Sequence, residues 1–378
     1  MFHDYRYDSF GVNPELFTTS GTQRFVFALQ TMQEMNQGIQ NVKTELETVE
    51  FANHSLPATR NEDEYSNSYV CSLYNAYIDY ARAELGLLKN PMLQVLLKSI
   101  IWQAGILLKW GKINRTLSIN NWLFSTNLVP NLSACDLRAE TRRLALANPH
   151  HSLTIRSLNT HTDAETIEAL KNNGWLLMPS RQVYLFPNGE REWWKRNNVK
   201  NDQRLLRKTE LQLVTPEEHK HEDFADVAKC FQKLFIDKHS EFNPQFSEDY
   251  LACLHRHKLV EFFSFRNDEG RIVATLGMFT QHNIVTAPIV GYDTDLPKSL
   301  GLYRLVMAQL LKLCYERNQC LNLSSGASHF KRQRGGVAEV EYTALYVRHL
   351  PLKQRLILGN FARLLNRFGP GFLQKYEL

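Results

Sequence analysis

Apolar residues recur at spacings of three and four in the N-terminal third of the chain, which is the period of an amphipathic helix. The stretches with this spacing are residues 20–50, 68–88 and 91–110. A polar segment that contains a proline, residues 53–67, separates the first two stretches and predicts a loop. Asn90-Pro91 separates the last two, because a residue that precedes proline is pushed out of the helical region. The pattern therefore predicts a mainly helical N-terminal region over residues 1–112.

The pattern changes after Lys112, where alternating segments rich in β-forming residues begin to follow helical ones. Helices are predicted over residues 137–147 and 163–173, and strands over residues 152–158 and 175–186. Gly174 stands where the C-terminus of a helix prefers glycine. A polar helix over residues 189–210 and a strand over residues 211–214 complete an α/β unit, residues 113–222.

The last third of the chain has the clearest order of elements: two helices, three antiparallel strands, a helix, a strand, a loop and a final strand. The helices are predicted over residues 223–239, 246–256 and 301–316, and the strands over residues 259–266, 272–280, 283–290, 320–323 and 339–347. These elements predict a second unit, residues 223–350. A helical tail is predicted over residues 351–378.

The composition is that of a globular protein long enough for two or three packed units. Of the 378 residues, 43% are hydrophobic and 22% are charged. The most apolar window, Pro91–Trp110, is interrupted by Lys98, Lys109 and two glutamines, whereas a membrane crossing needs about 20 predominantly apolar residues. We interpret this window as a buried or amphipathic helix, with contact to a membrane surface as the alternative, and expect no integral membrane span.

The cysteines and the N-terminal sequence indicate the compartment. The six cysteines include no pair at Cys-x-x-Cys spacing, which favours free thiols in a reducing environment over a zinc site or a disulfide framework. The first residues lack a basic segment followed by an apolar one, so they do not read as a secretory signal. We expect a cytoplasmic protein without a bound metal.

The formal net charge of +5 is concentrated in the polar helix over residues 189–210. The cations there are Arg191, Lys195, Arg196, Lys200, Arg204, Arg207 and Lys208. Such a helix is either a solvated face or a docking site for an acidic carrier protein or an RNA.

The start of the helix over residues 301–316 has the chemistry of a phosphate site. Free N–H groups and the helix dipole favour an anion at a helix N-terminus, and a glycine lets a ligand approach the backbone. Gly301 and Leu302 stand at this start, and Ser299 is predicted as the N-cap. Lys298 and Arg304 supply positive charge nearby. These five residues are the predicted binding site for the phosphates of a donor.

The order of elements in the last third is that of a GNAT domain, and residues 271–336 resemble the GNAT-like domain of the Fem-type peptidyl and acyl transferases. The closing element reads Leu321-Asn-Leu-Ser-Ser-Gly-Ala-Ser-His-Phe-Lys331. The resemblance implies an α+β, tandem GNAT-like fold with a mixed, mainly antiparallel central sheet, whose first half is the unit over residues 113–222. The glycine signature departs from the Gln/Arg-x-x-Gly-x-Gly/Ala of ordinary acetyltransferases, because only Gly301 is present.

The resemblance also implies a reaction. An acyl group passes from a thioester donor, acyl-CoA or an acyl carrier protein, directly to an amine or hydroxyl, and a backbone N–H of the central strand stabilises the oxyanion. Tyr292 is the predicted proton donor to the leaving thiolate, and Glu341 is the predicted base. Ser324 is a further candidate catalytic residue, and Lys331 is a candidate for donor binding.

Two other functions remain open on the sequence. The first is an aminoacyl-tRNA-dependent transferase of the Fem type, which would bind tRNA through the basic helix. The second is a binding protein that keeps the fold without catalysis. No Gly-x-Ser-x-Gly sequence is present, which disfavours a hydrolase-type covalent route.

Overall fold

A computed structural model describes residues 19–34, 38–87, 90–189 and 191–377. The strands are Glu45–Phe51 (β1), His54–Asn61 (β2), Thr116–Ile119 (β3), Ser152–Asn159 (β4), Leu176–Phe186 (β5), Gln212–Val214 (β6), Glu261–Arg266 (β7), Ile272–Gln281 (β8), Ile284–Tyr292 (β9), Cys320–Asn322 (β10) and Val337–Tyr346 (β11). The α-helices are Thr19–Glu34 (α1), Tyr80–Glu84 (α2), Pro91–Trp110 (α3), Leu137–Ala147 (α4), Ala164–Asn172 (α5), Asn197–Lys208 (α6), Asp223–Phe231 (α7), Glu248–Arg256 (α8), Leu302–Glu316 (α9), Ser328–Gln333 (α10) and Leu352–Tyr376 (α11).

All eleven strands form one sheet in the order β1-β2-β3-β4-β11-β5-β10-β9-β8-β7-β6. The pairs β3–β4 and β9–β10 are parallel, and the other pairs are antiparallel. The sheet carries helices on its faces, so the predicted α+β class with a mixed, mainly antiparallel sheet is confirmed.

The two predicted units exchange strands at the centre of the sheet. The C-terminal strand β11 lies between β4 and β5, with Glu341 opposite Asn159 on one side and Arg181 on the other. The strand β5 in turn pairs with β10 of the C-terminal unit through Leu321 and Phe186. Each unit therefore completes the hydrogen bonding of the other, and the boundaries at residues 112, 222 and 350 remain a prediction.

The N-terminal region is less helical than predicted. The helix expected up to residue 50 ends at Glu34, and the loop expected over residues 53–67 contains β2. The strands β1 and β2 form a hairpin whose two-residue turn, Ala52-Asn53, has positive φ at both positions (53° and 63°). This is the turn that matches strand twist, although its sequence lacks the glycine that usually marks it. From Thr48 to Phe51, burial along β1 alternates as in a strand with one face covered.

The helix α7 presses on the end of β9. A Cβ placed on Gly291 would lie 2.4 Å from the backbone carbon of Cys230 and 2.4 Å from the backbone nitrogen of Phe231. The helix continues from Phe231 into a π-helical turn, Gln232–Ile236, against the same strand. π-helical turns often mark functional sites. The absence of a side chain at Gly291 therefore sets the distance between this helix and the edge of β9.

The helix α3 is not the buried helix that one interpretation of the sequence expected. Only Gly105 and Leu108 are buried in it. By length and composition alone it is the one helix among the described residues that could cross a membrane. The predicted C-terminal helical tail is confirmed as α11, which packs against α3 and β5.

Candidate functional site

The parallel pair β9–β10 opens into a gap after three residue pairs. Cys320 is opposite Ile284 and Asn322 is opposite Thr286, and β10 then ends. The strand β9 continues to Tyr292 with β8 on one side and, among the described residues, no strand on the other. Backbone N–H and C=O groups on such an edge can pair with an extended ligand. The gap is therefore a candidate binding site for a chain-like acyl donor.

The N-terminus of α9 lies next to this gap. Gly301 is the N-cap residue with φ of 64°, a left-handed conformation that favours glycine, and no side chain caps the helix. The first-turn N–H groups of Leu302, Tyr303 and Arg304 have no partner within the helix. These groups and the helix dipole form a site for an anion such as phosphate.

The predicted cap, Ser299, is arranged differently from expectation, whereas Lys298 is exposed as expected. Ser299 is exposed in a short 3₁₀ helix, Lys298–Leu300, and does not cap α9, so that prediction is wrong. The prediction failed because Gly301, in the left-handed conformation, starts the helix two residues later. Lys298 is exposed at the same turn and is free to meet a ligand from solvent.

Arg304 is held in place by a buried aspartate. Its Nε donates to Oδ1 of Asp202 over 2.7 Å, and the Nε of Arg334 donates to Oδ2 of the same carboxylate over 2.6 Å. Asp202 is 1% exposed, whereas the side chain of Arg304 is 44% exposed. The carboxylate neutralises part of the charge and fixes the guanidinium, whose remaining N–H groups stay available to an anion at α9.

Aromatic rings connect the elements around the gap. The ring of Tyr303 lies 6.1 Å from that of Tyr292 and 4.9 Å from that of Phe330, between centroids. The guanidinium of Arg334 stacks 3.2 Å from the centre of the Phe330 ring. Burial raises the pKa of Tyr303 to about 12, so its hydroxyl remains protonated at neutral pH. Tyr292, the predicted proton donor, thus lies at the end of β9 near the ring of Tyr303.

Tyr303 also marks where the site departs from an ordinary acetyl-CoA site. It occupies the position of the second small residue in the Gln/Arg-x-x-Gly-x-Gly/Ala signature. The residues at the start of α9 fit a phosphate group, through free N–H groups, Gly301 and Arg304. At Tyr303, however, this chain has an aromatic side chain where the acetyltransferase signature has glycine or alanine.

Lys331 is a buried structural lysine. Its ammonium donates to the carbonyl oxygens of Leu323 (2.8 Å), Ser324 (3.2 Å) and Ser325 (2.7 Å), which follow the end of β10. It lies 5.7 Å from the ring centre of Tyr184 on β5. The lysine therefore binds the carbonyl groups that follow the end of β10. Its predicted role as a donor-binding cation is wrong, because the ammonium donates all three of its N–H groups within the protein and the residue is only 3% exposed.

Burial lowers the pKa of Lys331 to about 7, and this gives a testable pH dependence. The folded pKa lies below the unfolded value of about 10.4, so between these values the unfolded chain binds the extra proton and stability rises with pH. As pH rises, we expect the free energy of unfolding of the wild type to increase relative to that of Lys331→Met by up to about 1.4 kcal/mol per pH unit. Urea unfolding at several pH values from 7 to 10 measures the slope.

A matched replacement isolates this titration from the loss of hydrogen bonds. Lys238 is exposed, so Lys238→Met removes the same charge without a buried ammonium. The Lys238→Met difference from the wild type is expected to stay constant with pH. A constant difference for Lys331→Met as well would contradict the lowered pKa.

Glu341, the predicted base, is a buried member of an ion pair. Its Oε1 accepts from Nε of Arg181 over 2.8 Å, and its Oε2 accepts from Nη2 of Arg181 over 3.2 Å. The same Nη2 also donates to the carbonyl oxygen of Ser125 (2.6 Å). The carboxylate raises the pKa of Arg181 above its ordinary value even though burial opposes this. Since β5 lies between β11 and the gap, the prediction that Glu341 faces the cleft as a base is wrong.

Ser324 contributes its backbone to the site. It has φ of 57°, and its carbonyl oxygen accepts from the N–H of Tyr184 (3.1 Å) as well as from Lys331. This position shapes the end of β10, and no contact points to a catalytic hydroxyl. Within the described residues, no cluster of His, Cys, Asp and Glu is placed to hold a metal ion.

The predicted basic helix lies beside the start of α9. It is α6 preceded by a 3₁₀ turn, Glu192–Lys195, and it packs on α9 through a hydrogen bond from Gln203 Nε2 to the carbonyl oxygen of Ala308 (2.8 Å). Its exposed cations are Lys195, Arg196, Lys200, Arg204, Arg207 and Lys208. We call them the α6 basic face. A polyanion bound at α9 would therefore meet positive charge beyond the phosphate site.

The sequence reasoning missed Asp202, Tyr303 and Arg181. Asp202 had a signal, since it is the lone acid between Glu192 and Glu210 in an otherwise basic segment. A single carboxylate among cations is typical of an ion-pair centre. Arg181 carries no such local signal, because its partner Glu341 comes from another strand of the sheet. The sequence marks Tyr303 only as a departure from the glycine signature.

The family comparison agrees with this geometry. Residues 195–332 match the model of the acetyltransferase (GNAT) domain. This part of the chain, from α6 through α10, is a GNAT-type domain, and the resemblance to the GNAT-like group of N-acyltransferases is confirmed. The sequence has no match among curated proteins.

Solved structures share parts of the chain path at low identity. The C-terminal domain of a protein described as a lysylphosphatidylglycerol synthetase from Agrobacterium fabrum is 12% identical with a TM-score of 0.47, covering 66% of this chain and 80% of that one. FemX is 10% identical with a TM-score of 0.47, covering 64% and 82%. A tandem GNAT protein from the clavulanic acid biosynthesis pathway is 12% identical with a TM-score of 0.37, covering 61% and 75%. At these values the similarities assign no activity to this chain.

Proposed function

We propose that the protein is an acyltransferase that moves an acyl group from a phosphate-bearing thioester donor, acyl-CoA or an acyl carrier protein, to an amine or hydroxyl. The observation that carries the proposal is the open edge of β9 next to the uncapped first turn of α9 at Gly301. The edge suits the extended arm of a donor, and the helix N-terminus suits its phosphate. The GNAT-type domain over residues 195–332 supports the same class.

The reaction follows from what borders the gap. A backbone N–H on the free edge of β9 donates to the thioester oxygen and stabilises the negative charge that develops there. The nucleophile forms a bond to the carbonyl carbon, the C–S bond breaks, and the nucleophile's proton passes to water. Tyr292, at the end of β9, donates its hydroxyl proton to the leaving sulfur and regains one from solvent. Glu341 takes no part, because its carboxylate is paired with Arg181.

The α6 basic face favours a second candidate, an aminoacyl-tRNA-dependent transfer of the Fem type. Of its cations, Lys195 pairs with Glu192, and the other five form no ion pair with the described residues: Arg196, Lys200, Arg204, Arg207 and Lys208. Unpaired cations beside a phosphate site suit a long polyanion better than a single coenzyme. A donor ester on tRNA would react through the same oxyanion contact on β9.

The donor class is tested by thermal stability with acetyl-CoA, a long-chain acyl-CoA, an acylated carrier protein and an aminoacylated tRNA. A ligand that binds only the folded protein stabilises it by about 2.7 kcal/mol at 100 times its dissociation constant. We expect one donor to raise the midpoint, and Gly301→Glu to abolish the shift by placing a carboxylate at the phosphate site.

A matched variant removes the effect of backbone strain from this test. Gly270 also has positive φ (80°) and open space around its Cα, but it lies in the turn between β7 and β8. Gly270→Glu is expected to retain the full shift. Absence of a shift with every donor would refute the proposal and favour a binding protein without catalysis.

A cytoplasmic location is part of this proposal. All six cysteines are free thiols, as expected in a reducing compartment. The donors named above are cytoplasmic metabolites or carriers, and fractionation of cells that express the protein tests the location.

A further inference from the structure

The helix α3 exposes a broad apolar face to solvent. Its exposed apolar side chains include Met92 (84% exposed), Val95, Leu96, Trp102, Leu107 and Trp110. At 3.6 residues per turn, the exposed apolar side chains of α3 fall within an arc of about 160°. The exposed polar residues Ser99 and Gln103 also lie within this arc. A large exposed apolar surface on a folded protein marks a place where something else binds.

The opposite face of α3 contacts the fold, most closely near the C-terminal end of the helix. A Cβ on Gly105 would lie 2.9 Å from the hydroxyl of Tyr74, so the helix backbone touches the adjacent segment. The ammonium of Lys109 lies 4.8 Å from the ring centre of Tyr74, and Leu108 is buried with Ile78 in a shared apolar cluster. A helix attached along one side cannot stand across a bilayer, so its free face is available only to a surface that lies alongside.

The helix α11 extends this face and adds charge. The ammonium of Lys353 lies 5.5 Å from the ring centre of Trp110, which joins the end of α3 to the start of α11. The exposed apolar side chains of α11 are Leu352, Leu356, Leu364 and Phe368. The exposed cations of the same helix are Lys353, Arg355, Arg363, Arg367 and Lys375. Neither helix contains an acidic residue.

We propose that the exposed faces of α3 and α11, here called the lipid-facing surface, bind the surface of an anionic lipid bilayer. Apolar side chains and tryptophans on a basic helix are the composition of helices that lie in the interface plane. The cations would meet lipid phosphates, which attract Lys and Arg near the membrane. The inference is independent of the donor, because the surface contains none of the residues at α9.

Charge also distinguishes the bilayer from a second copy of this chain. In a symmetric dimer through this surface, the five cations of α11 would face their own equivalents with no acidic residue in either helix to balance them. Like charges in apposition weaken association, and protein interfaces are depleted of lysine. A negatively charged bilayer removes this repulsion.

Co-sedimentation of the full chain with vesicles tests the proposal. We expect binding to equimolar phosphatidylglycerol and phosphatidylcholine, weaker binding to phosphatidylcholine alone, and partial release by salt. Leu96→Glu with Leu107→Glu is expected to weaken partitioning by at least about tenfold, because two exposed apolar side chains of α3 then carry charge. Leu146→Glu, at an exposed apolar position of α4, is the matched control and is expected to bind as the wild type does.

Thermal midpoints and tryptophan quenching show whether the variants fold and whether α3 contacts the lipid. Unchanged thermal midpoints show that the variants fold, since all three leucines are exposed. Quenching of tryptophan fluorescence by brominated lipid reports on Trp102 and Trp110 at the acyl boundary. No binding of the wild type to anionic vesicles, or equal binding of the α3 variant, would overturn the proposal. A dimer in solution that Leu96→Glu with Leu107→Glu dissociates, without vesicle binding, would assign the surface to a second copy instead.

Discussion

Gly291→Ala is expected to lower the free energy of unfolding by about 2–4 kcal/mol, one of the two largest effects of a single replacement that we foresee. The added methyl group would lie 2.4 Å from backbone atoms of Cys230 and Phe231, and backbone atoms cannot rotate away as a side chain can. Either α7 or the end of β9 must shift. Urea denaturation of the wild type and the variant measures the difference.

A glycine-to-alanine replacement where the added methyl group has free space provides the control. Gly371 lies in α11 with no atom near its hypothetical Cβ, so Gly371→Ala is expected to change stability by less than about 1 kcal/mol, in the stabilising direction. A shift of β9 also moves Tyr292 and the free strand edge, so Gly291→Ala should lose donor-induced stabilisation as well. Wild-type stability in Gly291→Ala would show that the strand and helix are not in contact as described.

Glu341→Gln is expected to cost about 3–5 kcal/mol of stability, because it leaves the guanidinium of Arg181 buried without its carboxylate. The side chains of Glu341 and Arg181 are 4% and 17% exposed, so water cannot replace the lost partner. Removing both charges is expected to cost less: Glu341→Leu with Arg181→Met should be more stable than Glu341→Gln. Denaturant unfolding of the single and double variants measures this coupling.

This experiment also decides between two roles for Glu341. A positioning role in the sheet predicts that stability falls in Glu341→Gln and recovers in the double variant. A variant that unfolds at wild-type denaturant concentration yet fails to transfer the acyl group would instead restore Glu341 as a catalytic base. The measurement therefore separates the fold from the chemistry at a residue that the sequence pattern assigned to chemistry.

The elements with a strong period were predictable from the sequence. The helix α9 was predicted over residues 301–316 and begins at Leu302, because its apolar face repeats with helical spacing over four turns. The order of β7, β8 and β9 was predicted as well, since turn residues separate them. The hairpin β1–β2 was missed because its turn, Ala52-Asn53, uses positive φ without glycine.

The charged centres of the site could not be derived from local patterns. Arg181 and Glu341 are 160 positions apart, and Asp202 joins Arg304 and Arg334 from 102 and 132 positions away. Such pairs depend on which strands become neighbours in the sheet. A short segment of sequence does not show that β5 and β11 are exchanged between the two units. Likewise, the composition of α3 predicted a helix but not that eight-tenths of Met92 would remain exposed.

The exchange of strands has a consequence for how the chain is made. The strand β11 fills the place between β4 and β5, yet its residues 337–346 are synthesised after both of these strands and the whole of α9. Until they leave the ribosome, β4 and β5 present unpaired edges, which are templates for aggregation. A fragment that ends at residue 332, where the acetyltransferase match ends, would keep this opening permanently. The nascent protein is thus protected from edge-to-edge association only after residues 337–346 have been synthesised, and the two halves share a single folding event.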